Sequence, residues 1–541
     1  MPEEKRKCIE ETVDLLLEDG PQAAEPGLLL GKIQCGKTDT FEDIIGLAFD
    51  RGIDIAIILT KGTNPLALQT LMRLRKDFRH FKDTGSIDQQ PTIYIEDIMK
   101  VWRKLRQNVV DTNKCVFVCK KESTNMQHLI DMFKTNQAFL KDKRVLIVDD
   151  EADFASRNYR TVRRQALTDA DGFPIEQKSE VELAVISQQI DEFRKFPSYC
   201  RYLQVTATPY CLYLQPDGEL NLNGNVVKPF RPRFTKLVPV HDAYIGGKQY
   251  FEDSKDSQSM YSHLFHQVSE KCLSVLGKED KRYVNSPTSS ANLYDFTYAL
   301  VSYFVATAIR RIQVRENKER NYRTSALIHA ELSRKYHEWQ KQLTNSIIDT
   351  KQALADKKQT DQRIWRAINA AYDDFTVSNK KGREQKLIKV EVPKKEDVIN
   401  EMREILGNND YIVQVVNTDN EVVNLLDQES GELQLEATAN IFIGGSILDR
   451  GITIKNILCF FYGRNPKNFQ QDTVLQHARM YGARKKEDMA VTRFHTSSAG
   501  CGIAKLERLF SSRLRPLTSA MMVTGTPFNR AIPPKIAPSS P

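Results

Sequence analysis

The sequence of 541 residues predicts two α/β lobes, each built on a parallel β-sheet. Two series of short apolar segments, between residues 28 and 206 and between residues 324 and 463, alternate with helical segments, as expected for parallel sheets. Some segments, such as IDIAIILT at 53–60, are apolar at nearly every position, which is typical of strands covered on both faces. The length also exceeds what a single core usually supports.

Changes in this pattern give the predicted regions. They are an N-terminal helix, a first lobe with insertions, a helical connection, a second lobe and a tail, at residues 1–24, 25–265, 266–320, 321–495 and 496–541. The tail contains six of the 21 prolines and a single acidic residue, Glu507. Because it has no clear periodic element after Leu514, we expect it to be disordered.

Composition favours a cytoplasmic protein without a membrane segment. Apolar residues make up 40% of the chain and charged residues 27%, and no run approaches the roughly 20 apolar residues that span a bilayer. The first 20 residues are charged throughout and lack the apolar centre of a signal peptide. The nine cysteines are scattered and odd in number, which argues against a disulfide framework.

The charge balance permits nucleic-acid binding without establishing it. The net charge is +8, because 78 basic residues are nearly balanced by 70 acidic ones. The most basic run, NKKGREQKLIKVEVPKK at 379–395, is read first as a solvated loop and second as a contact for a phosphate backbone.

A phosphate-binding loop, GKIQCGKT, occupies residues 31–38 between a predicted strand and a predicted helix. Gly31 and Gly36 allow the backbone N–H groups to surround a polyphosphate, and the following helix adds its positive end. Lys37 is expected to bridge the β- and γ-phosphates, and the hydroxyl of Thr38 to bind Mg²⁺. The alternative is a glycine turn with an exposed lysine. The strand–loop–helix context therefore predicts an ATP site.

Two further loop residues, Gln34 and Cys35, are expected to contact the nucleotide. The backbone N–H of Cys35 can contact the nucleotide whatever side chain this position carries. A nucleophilic role for Cys35 is disfavoured because the sequence indicates no base nearby. His329 and His477 are lone histidines, more typical of packing or hydrogen bonding than of metal binding.

The segment VLIVDDEADF at 145–154 is an apolar strand that ends in carboxylates. Such an end can hold Mg²⁺ and orient the water that attacks a phosphate. We assign Asp150 to the metal and Glu151 to the general base, with Asp149 as the rival metal ligand because a shift of one residue would exchange them. The alternative is an acidic helix N-terminus.

These motifs resemble motifs I, II and III of superfamily 2 helicases. The residues that carry the resemblance are Lys37, the DEAD run at 150–153 and TATP at 206–209. The resemblance implies two RecA-like lobes, and a motif III that couples the nucleotide site to a nucleic-acid cleft. Asp153 is expected to contact Thr206 and Thr208 in that coupling role.

The second lobe narrows the resemblance. IGGSILDRGITIKNI at 443–457 resembles motif V, and DTVLQHARMYGAR at 472–484 resembles motif VI. With YIGG at 244–247 and LIH at 327–329, the set is similar to the Z1-domain family over roughly residues 25–490. That family is a superfamily 2 branch of bacterial restriction and phage-defence loci, often beside endonucleases or GHKL-type ATPases.

The same resemblance assigns further residues. Gln476, Arg479 and Arg484 would face the first lobe, and Arg479 is the first choice for an arginine that stabilises the γ-phosphate in the transition state, with Arg484 second. The alternative for each arginine is a surface salt bridge. Asp449 and Arg450 would link the nucleotide to the cleft.

The leading hypothesis is an ATP-dependent translocase on nucleic acid, with DNA favoured, that acts in defence against foreign DNA by hydrolysing ATP between two lobes. A second hypothesis is a nucleotide-gated interaction module that regulates a partner nuclease or GHKL-type ATPase. A third, a nuclease in its own right, is less favoured because no carboxylate–carboxylate–x–lysine set is visible.

Overall fold

A computed structural model gives the structure of most of the chain. It describes residues 1–20, 22–79, 92–154, 180–213, 220–222, 225–227, 231–285, 287, 290–316, 322–331, 333–349, 362–427, 431–445, 454–463 and 481–497. The predicted tail at 496–541 lies outside this set apart from Thr496 and Ser497. The described residues form two compact units, one up to Val240 and one from His241 onward.

The first unit is a parallel sheet with helices on both faces. Its strands are β1 Gly27–Leu30, β2 Ile55–Thr60, β3 Thr92–Asp97, β4 Asn113–Lys120, β5 Arg144–Asp150, β6 Tyr199–Thr206, β7 Leu220–Leu222, β8 Asn225–Val227 and β9 Phe234–Leu237. Its helices are α1 Glu3–Leu17, α2 Lys37–Asp50, α3 Asn64–Asp77, α4 Ile98–Val101, α5 Gln107–Thr112, α6 Ser123–Thr135, α7 Gln137–Leu140, α8 Glu180–Phe193 and α9 Tyr210–Tyr213.

The main sheet of this unit has the strand order β3-β4-β2-β5-β6-β1-β9, and every pair is parallel. Alternate residues of β2 enter two separate cores: Ile57 lies in one and Ile58 in the other. Because both faces are covered by helices, this central strand is apolar throughout. The N-terminal helix α1 buries Ile9 and Val13 in one of these cores.

The second unit also contains a parallel sheet. Its strands are β10 Tyr244–Ile245, β11 Phe265–Gln267, β12 Thr324–His329, β13 Tyr411–Val416, β14 Ala439–Gly444, β15 Ile457–Tyr462, β16 Gly482–Ala483 and β17 Arg493–Thr496. Its helices are α10 Glu270–Leu276, α11 Lys281–Asn285, α12 Tyr294–Glu316, α13 Arg334–Asp349, α14 Gln362–Glu384, α15 Lys395–Gly407, α16 Asp419–Leu425 and α17 Lys486–Ala490.

The six-stranded sheet of this unit has the order β11-β17-β15-β12-β14-β13, again parallel at every pair. Two parallel α/β units confirm the predicted fold class. Helix α12, which the sequence placed in a connection, packs inside this unit through residues such as Phe296 and Val305. Within the described part of the chain, no helix combines the length and apolarity needed to cross a membrane.

Candidate nucleotide-binding site

The parallel strands of the first unit bring the predicted motifs to one edge. Strand β6 lies between β1 and β5, so the three carboxyl ends are neighbours. The glycine loop follows β1, the acidic residues end β5, and TATP begins at the end of β6. The N–H of Gly31 donates to the carbonyl of Thr206 over 3.1 Å, which fixes the start of the loop to β6. Ligands of parallel α/β sheets bind beyond such carboxyl ends.

The loop backbone needs its glycines. A Cβ at Gly31 would lie 2.6 Å from the Lys37 Cγ and 2.7 Å from the Cys35 Sγ, too close for either contact. Gly36 has a φ of 92°, in the left-handed region that favours glycine. Gln34 also has a positive φ, 54°. These conformations curl the loop tightly ahead of α2.

The start of α2 leaves backbone donors for an anion. The residue before the helix is Gly36, so no side chain caps the first turn. The uncapped N–H groups of such a turn are a ready anion site. The ammonium of Lys37 donates to the carbonyl of Lys32 within the loop over 3.0 Å. Lys37 therefore lies over the space that the loop encloses.

The acidic residues at the end of β5 and directly after it, which form an acidic turn at 149–153, differ in their hydrogen-bond partners. Asp149 is buried, and its two carboxylate oxygens accept from the Lys121 ammonium at 2.8 Å and the Tyr202 hydroxyl at 2.6 Å. Asp150 is only half-buried and accepts from the N–H of Glu151 at 3.1 Å. Glu151 has a φ of 55°, which is uncommon for a residue with a Cβ. Such strained backbone is often found at functional sites.

Electrostatics link the acidic turn to the loop. Burial, followed by the neighbouring charge of Glu151, raises the pKa of Asp150 to about 6. The positive charges of Lys37 and Lys121 act in the opposite direction. Lys37 and Asp150 are thus within electrostatic reach of each other, although they are 113 positions apart in the chain. A perturbed carboxyl beside a lysine is a frequent property of reactive sites.

Asp153 joins the acidic turn to the end of β6. Its carboxylate accepts from the hydroxyls of Thr206 and Thr208, each at 2.7 Å, and all three residues are buried. The predicted contact between Asp153 and the TATP segment is therefore present, and its role in coupling stays a prediction.

Lys121 and Tyr202 were not predicted from the sequence. Lys121 follows β4, and Tyr202 lies on β6, so both project from strands that reach the same edge. A basic residue directly after an apolar strand, in KCVFVCKK, was the one available signal. Their partner Asp149 could not be inferred because 28 and 53 residues separate it from them.

Burial raises the pKa of the Cys35 thiol above its ordinary value. This agrees with a backbone role rather than a nucleophilic one.

The predicted residues of the second unit are only partly described. The Arg484 guanidinium donates to the Tyr250 hydroxyl at 3.2 Å, the Thr492 hydroxyl at 3.3 Å and the carbonyl of Ile457. His329 is buried at the end of β12. The other residues predicted there lie outside the described part of the chain, namely Asp449, Arg450, Gln476, His477 and Arg479.

The first-unit residues fit a nucleoside triphosphate with Mg²⁺. A Cβ at Gly31 would collide with the Lys37 and Cys35 side chains, and Gly36 needs its positive φ, so the loop keeps an open cradle with Lys37 beside it. No group of three or more His, Cys, Asp or Glu side chains among the described residues could hold a metal by itself. Mg²⁺ is commonly held by one or two protein ligands together with phosphate oxygens and water, which is what Thr38 and Asp150 can offer.

A model of the Z1 domain family matches residues 295–501. The match lies within the second unit and confirms the predicted family resemblance there, while the motifs of the first unit lie outside it. No curated protein matches the chain.

Among solved structures, the chain is similar to the Mycobacterium smegmatis helicase Lhr bound to ssDNA and AMP-PNP. The identity is 11% and the TM-score 0.39, over 92% of this chain and 47% of Lhr. It is also similar to a putative HsdR subunit of a Vibrio vulnificus type I restriction enzyme, with 12% identity and a TM-score of 0.36. This match covers 92% of this chain and 63% of the HsdR fragment. The match to S. cerevisiae Dbp5 bound to RNA and ADP BeF3 has 12% identity and a TM-score of 0.38, and it covers 94% of this chain and 90% of Dbp5. The chain thus spans about half of Lhr and less than two thirds of the HsdR fragment.

Proposed function

Because the chain contains a Z1 domain at residues 295–501, we propose that it is an ATP hydrolase of the helicase-like superfamily 2 that translocates along DNA in defence against foreign DNA. The single observation that carries the ATPase assignment is that the glycine loop and the acidic turn lie at the carboxyl ends of β1 and β5, the two strands that flank β6. The remaining residues of the site are consistent with this chemistry.

The loop N–H groups and Lys37 bind the phosphates, and the N-terminal end of α2 adds a favourable dipole. Thr38 and Asp150 would hold Mg²⁺, which would neutralise phosphate charge. Glu151 accepts the proton of the attacking water. Asp153, Thr206 and Thr208 have the proposed coupling role.

Asp150 is favoured over Asp149 as the metal ligand. Both carboxylate oxygens of Asp149 already accept hydrogen bonds, from Lys121 and Tyr202. Binding a metal would require breaking these buried bonds, which is costly. Asp150 carries no such buried pair and lies within electrostatic reach of Lys37.

Arg479 remains the first choice for the arginine that stabilises the γ-phosphate in the transition state. Arg484 is less favoured, because its guanidinium already donates to Tyr250, Thr492 and Ile457.

The ATPase assignment is tested by Glu151→Gln and Lys37→Ala. Glu151→Gln should still bind a fluorescent ATP analogue while its kcat falls by about 10²–10⁴-fold, because the amide cannot accept the proton. Lys37→Ala should weaken nucleotide binding as well. Lys7→Ala, which changes an exposed lysine on α1, is the control and should behave as wild type. Wild-type rates for Lys37→Ala would overturn the assignment.

A cluster of half-buried aromatic rings and exposed basic residues in the first unit supports nucleic acid as the substrate. The rings of Trp102 and His128 stack with centroids 4.1 Å apart at 13°, and the Arg103 guanidinium lies 4.1 Å from the Trp102 centroid. Lys104 and Arg106 are exposed beside them. Stacked aromatic and guanidinium planes next to cations suit single-stranded nucleic acid.

The position of this cluster also fits. It follows β3 and β4, at the same edge of the sheet as the nucleotide loop. Five strand spacings of about 4.8 Å separate β3 from β1, so the cluster is roughly 24 Å from the loop. A strand bound there would leave the nucleotide site free.

The translocase assignment is tested by ATPase rates with single-stranded DNA, duplex DNA and RNA in parallel, and by displacement of streptavidin from biotinylated DNA. DNA should raise the rate, and Trp102→Ala should reduce that stimulation without changing the basal rate. If no nucleic acid changes the rate and a partner protein binds only with ATP, the interaction module is the correct function.

The role in defence is tested by phage plating on cells with the wild-type gene or the Lys37→Ala variant, with neighbouring genes present. Plating should fall only with wild type. A partner nuclease or GHKL-type ATPase, which the family resemblance implies, should be required for the effect. Equal plating with both genes would overturn the role in defence.

A further inference from the structure

A buried lysine lies beneath the acidic turn of the nucleotide site. The side chain of Lys121 is fully buried, and its ammonium donates to three oxygens of consecutive residues. They are the Asp149 carboxylate at 2.8 Å, the Asp150 carbonyl at 2.6 Å and the Glu151 carbonyl at 2.7 Å. Three donors of one ammonium are thus directed at one short segment.

The lysine is itself held in place. The backbone N–H of Lys121 donates to the carbonyl of Thr60 over 2.8 Å, which continues the pairing of β4 with β2. Asp149 neutralises its charge, and the Tyr202 hydroxyl occupies the second oxygen of Asp149. A buried ammonium is tolerated only with such pairing. Both Asp149 and Tyr202 therefore serve to fix Lys121.

The two carbonyls that Lys121 binds flank the strained residue of the turn. Glu151 has a φ of 55°, a conformation that a residue with a Cβ adopts only when its surroundings impose it. Holding the carbonyls of Asp150 and Glu151 on one ammonium fixes the peptide plane on each side of the Glu151 Cα. The direction of the Glu151 side chain follows from those two planes.

We infer that Lys121 is a positioning residue for hydrolysis: it holds the left-handed turn that aims Glu151 and Asp150 at the nucleotide. This inference rests on the proposed ATPase function and adds a residue outside the recognised motifs. Lys121 does not touch the reacting atoms, and it acts through the backbone of the turn.

The test is the double variant Lys121→Met with Asp149→Asn, which removes both charges of the pair together. The asparagine can still accept from Tyr202, so no charged group is left buried alone. Nucleotide affinity should stay within about threefold, while kcat falls by about 100-fold, the usual cost of misplacing a catalytic group by about 1 Å.

The matched control is Lys114→Met with Asp54→Asn. This pair, 3.0 Å apart, also joins β4 to the region of β2, but at the amino end of the strands. Its removal tests the general cost of losing a lysine–aspartate pair in this sheet. The control should lose some thermal stability and retain its kcat.

A second readout separates positioning from a general structural role. Adding Lys121→Met and Asp149→Asn to a Glu151→Gln background should produce little further loss of kcat, because residues that act as one unit are not additive. Lys121→Arg should hydrolyse ATP faster than the double variant, because arginine keeps the positive charge. In a crystal structure of the double variant, Glu151 should leave the left-handed region.

Wild-type kcat in the double variant, or an unchanged Glu151 φ near 55°, would overturn the inference. A full additional 100-fold loss on the Glu151→Gln background would also overturn it. These outcomes differ from failure of the proposed function, in which the wild-type protein lacks ATPase activity or Glu151→Gln hydrolyses ATP at the wild-type rate.

Discussion

Asp150 in the first unit and Asp374 in the second are both half-buried aspartates, but their surroundings act on them in opposite directions. Asp374 accepts from the Arg493 Nε at 2.6 Å and the His263 Nδ1 at 2.6 Å, with the His266 Nε2 at 3.5 Å. Although burial acts to raise it, these partners hold the pKa of Asp374 far below its ordinary value.

Asp150 lacks a comparable set of donors. Burial and the adjacent charge of Glu151 raise its pKa to about 6, and the more distant charges of Lys37 and Lys121 only partly oppose this. An under-satisfied carboxyl gains from a cation, whereas a saturated one does not. The difference separates a carboxyl suited to binding Mg²⁺ from one that ties α14 to β17.

The largest expected effect is on activity. Asp150→Asn should lower kcat by about a thousandfold, because the amide is a poor ligand for Mg²⁺ and the phosphate charge is then less well neutralised. ATPase rates at saturating ATP and increasing Mg²⁺ measure this. If Asp150→Asn kept the wild-type ATPase rate and Asp149→Asn lost it, Asp149 would be the metal ligand in place of Asp150.

The next effect is on stability. Asp374→Asn should reduce the free energy of unfolding by roughly 3 kcal/mol at pH 7, because it leaves Arg493 buried without its counter-charge. Urea denaturation measures the change. The exposed neighbour Asp373 provides the matched control, and Asp373→Asn should change stability by less than about 0.5 kcal/mol. Equal effects of both substitutions would show that Asp374 is not a structural anchor.

The smallest effect concerns pH. The pKa of Asp150 is raised from 3.8 to about 6 in the folded state, so its ionisation destabilises the fold as pH rises between these values. Asp150→Asn should therefore be more stable than wild type by about 1–3 kcal/mol at pH 7, and the gain should disappear below about pH 4. Asp374→Asn should be less stable than wild type at pH 7, and this loss should shrink as pH falls below 3.8, so the two substitutions change stability with opposite signs. If the free energy of unfolding of Asp150→Asn and of wild type changed with pH in parallel, this prediction would be wrong.

Contiguous signals were readable from the sequence. The strand–loop–helix around Lys37, the apolar strand before Asp150 and the alternation that gives two parallel sheets all depend on neighbouring residues, and the fold class is confirmed. The contact of Asp153 with Thr206 could also be anticipated, because both motifs follow adjacent strands.

Long-range partners were not readable. The choice between Asp149 and Asp150 depends on Lys121 and Tyr202, which only the folded sheet brings together. The engagement of Arg484 by Tyr250 likewise depends on residues 234 positions apart. Residue type and spacing carry little information about which of several polar groups a side chain meets.

Thr206 gives the glycine loop and the acidic turn a shared anchor. Its carbonyl receives the N–H of Gly31, and its hydroxyl donates to Asp153. Both segments are thus tied to the last residue of β6, so we expect a shift of one segment to affect the other. Position 206 should accept serine, which retains the hydroxyl, and valine there should uncouple the two segments while preserving the strand.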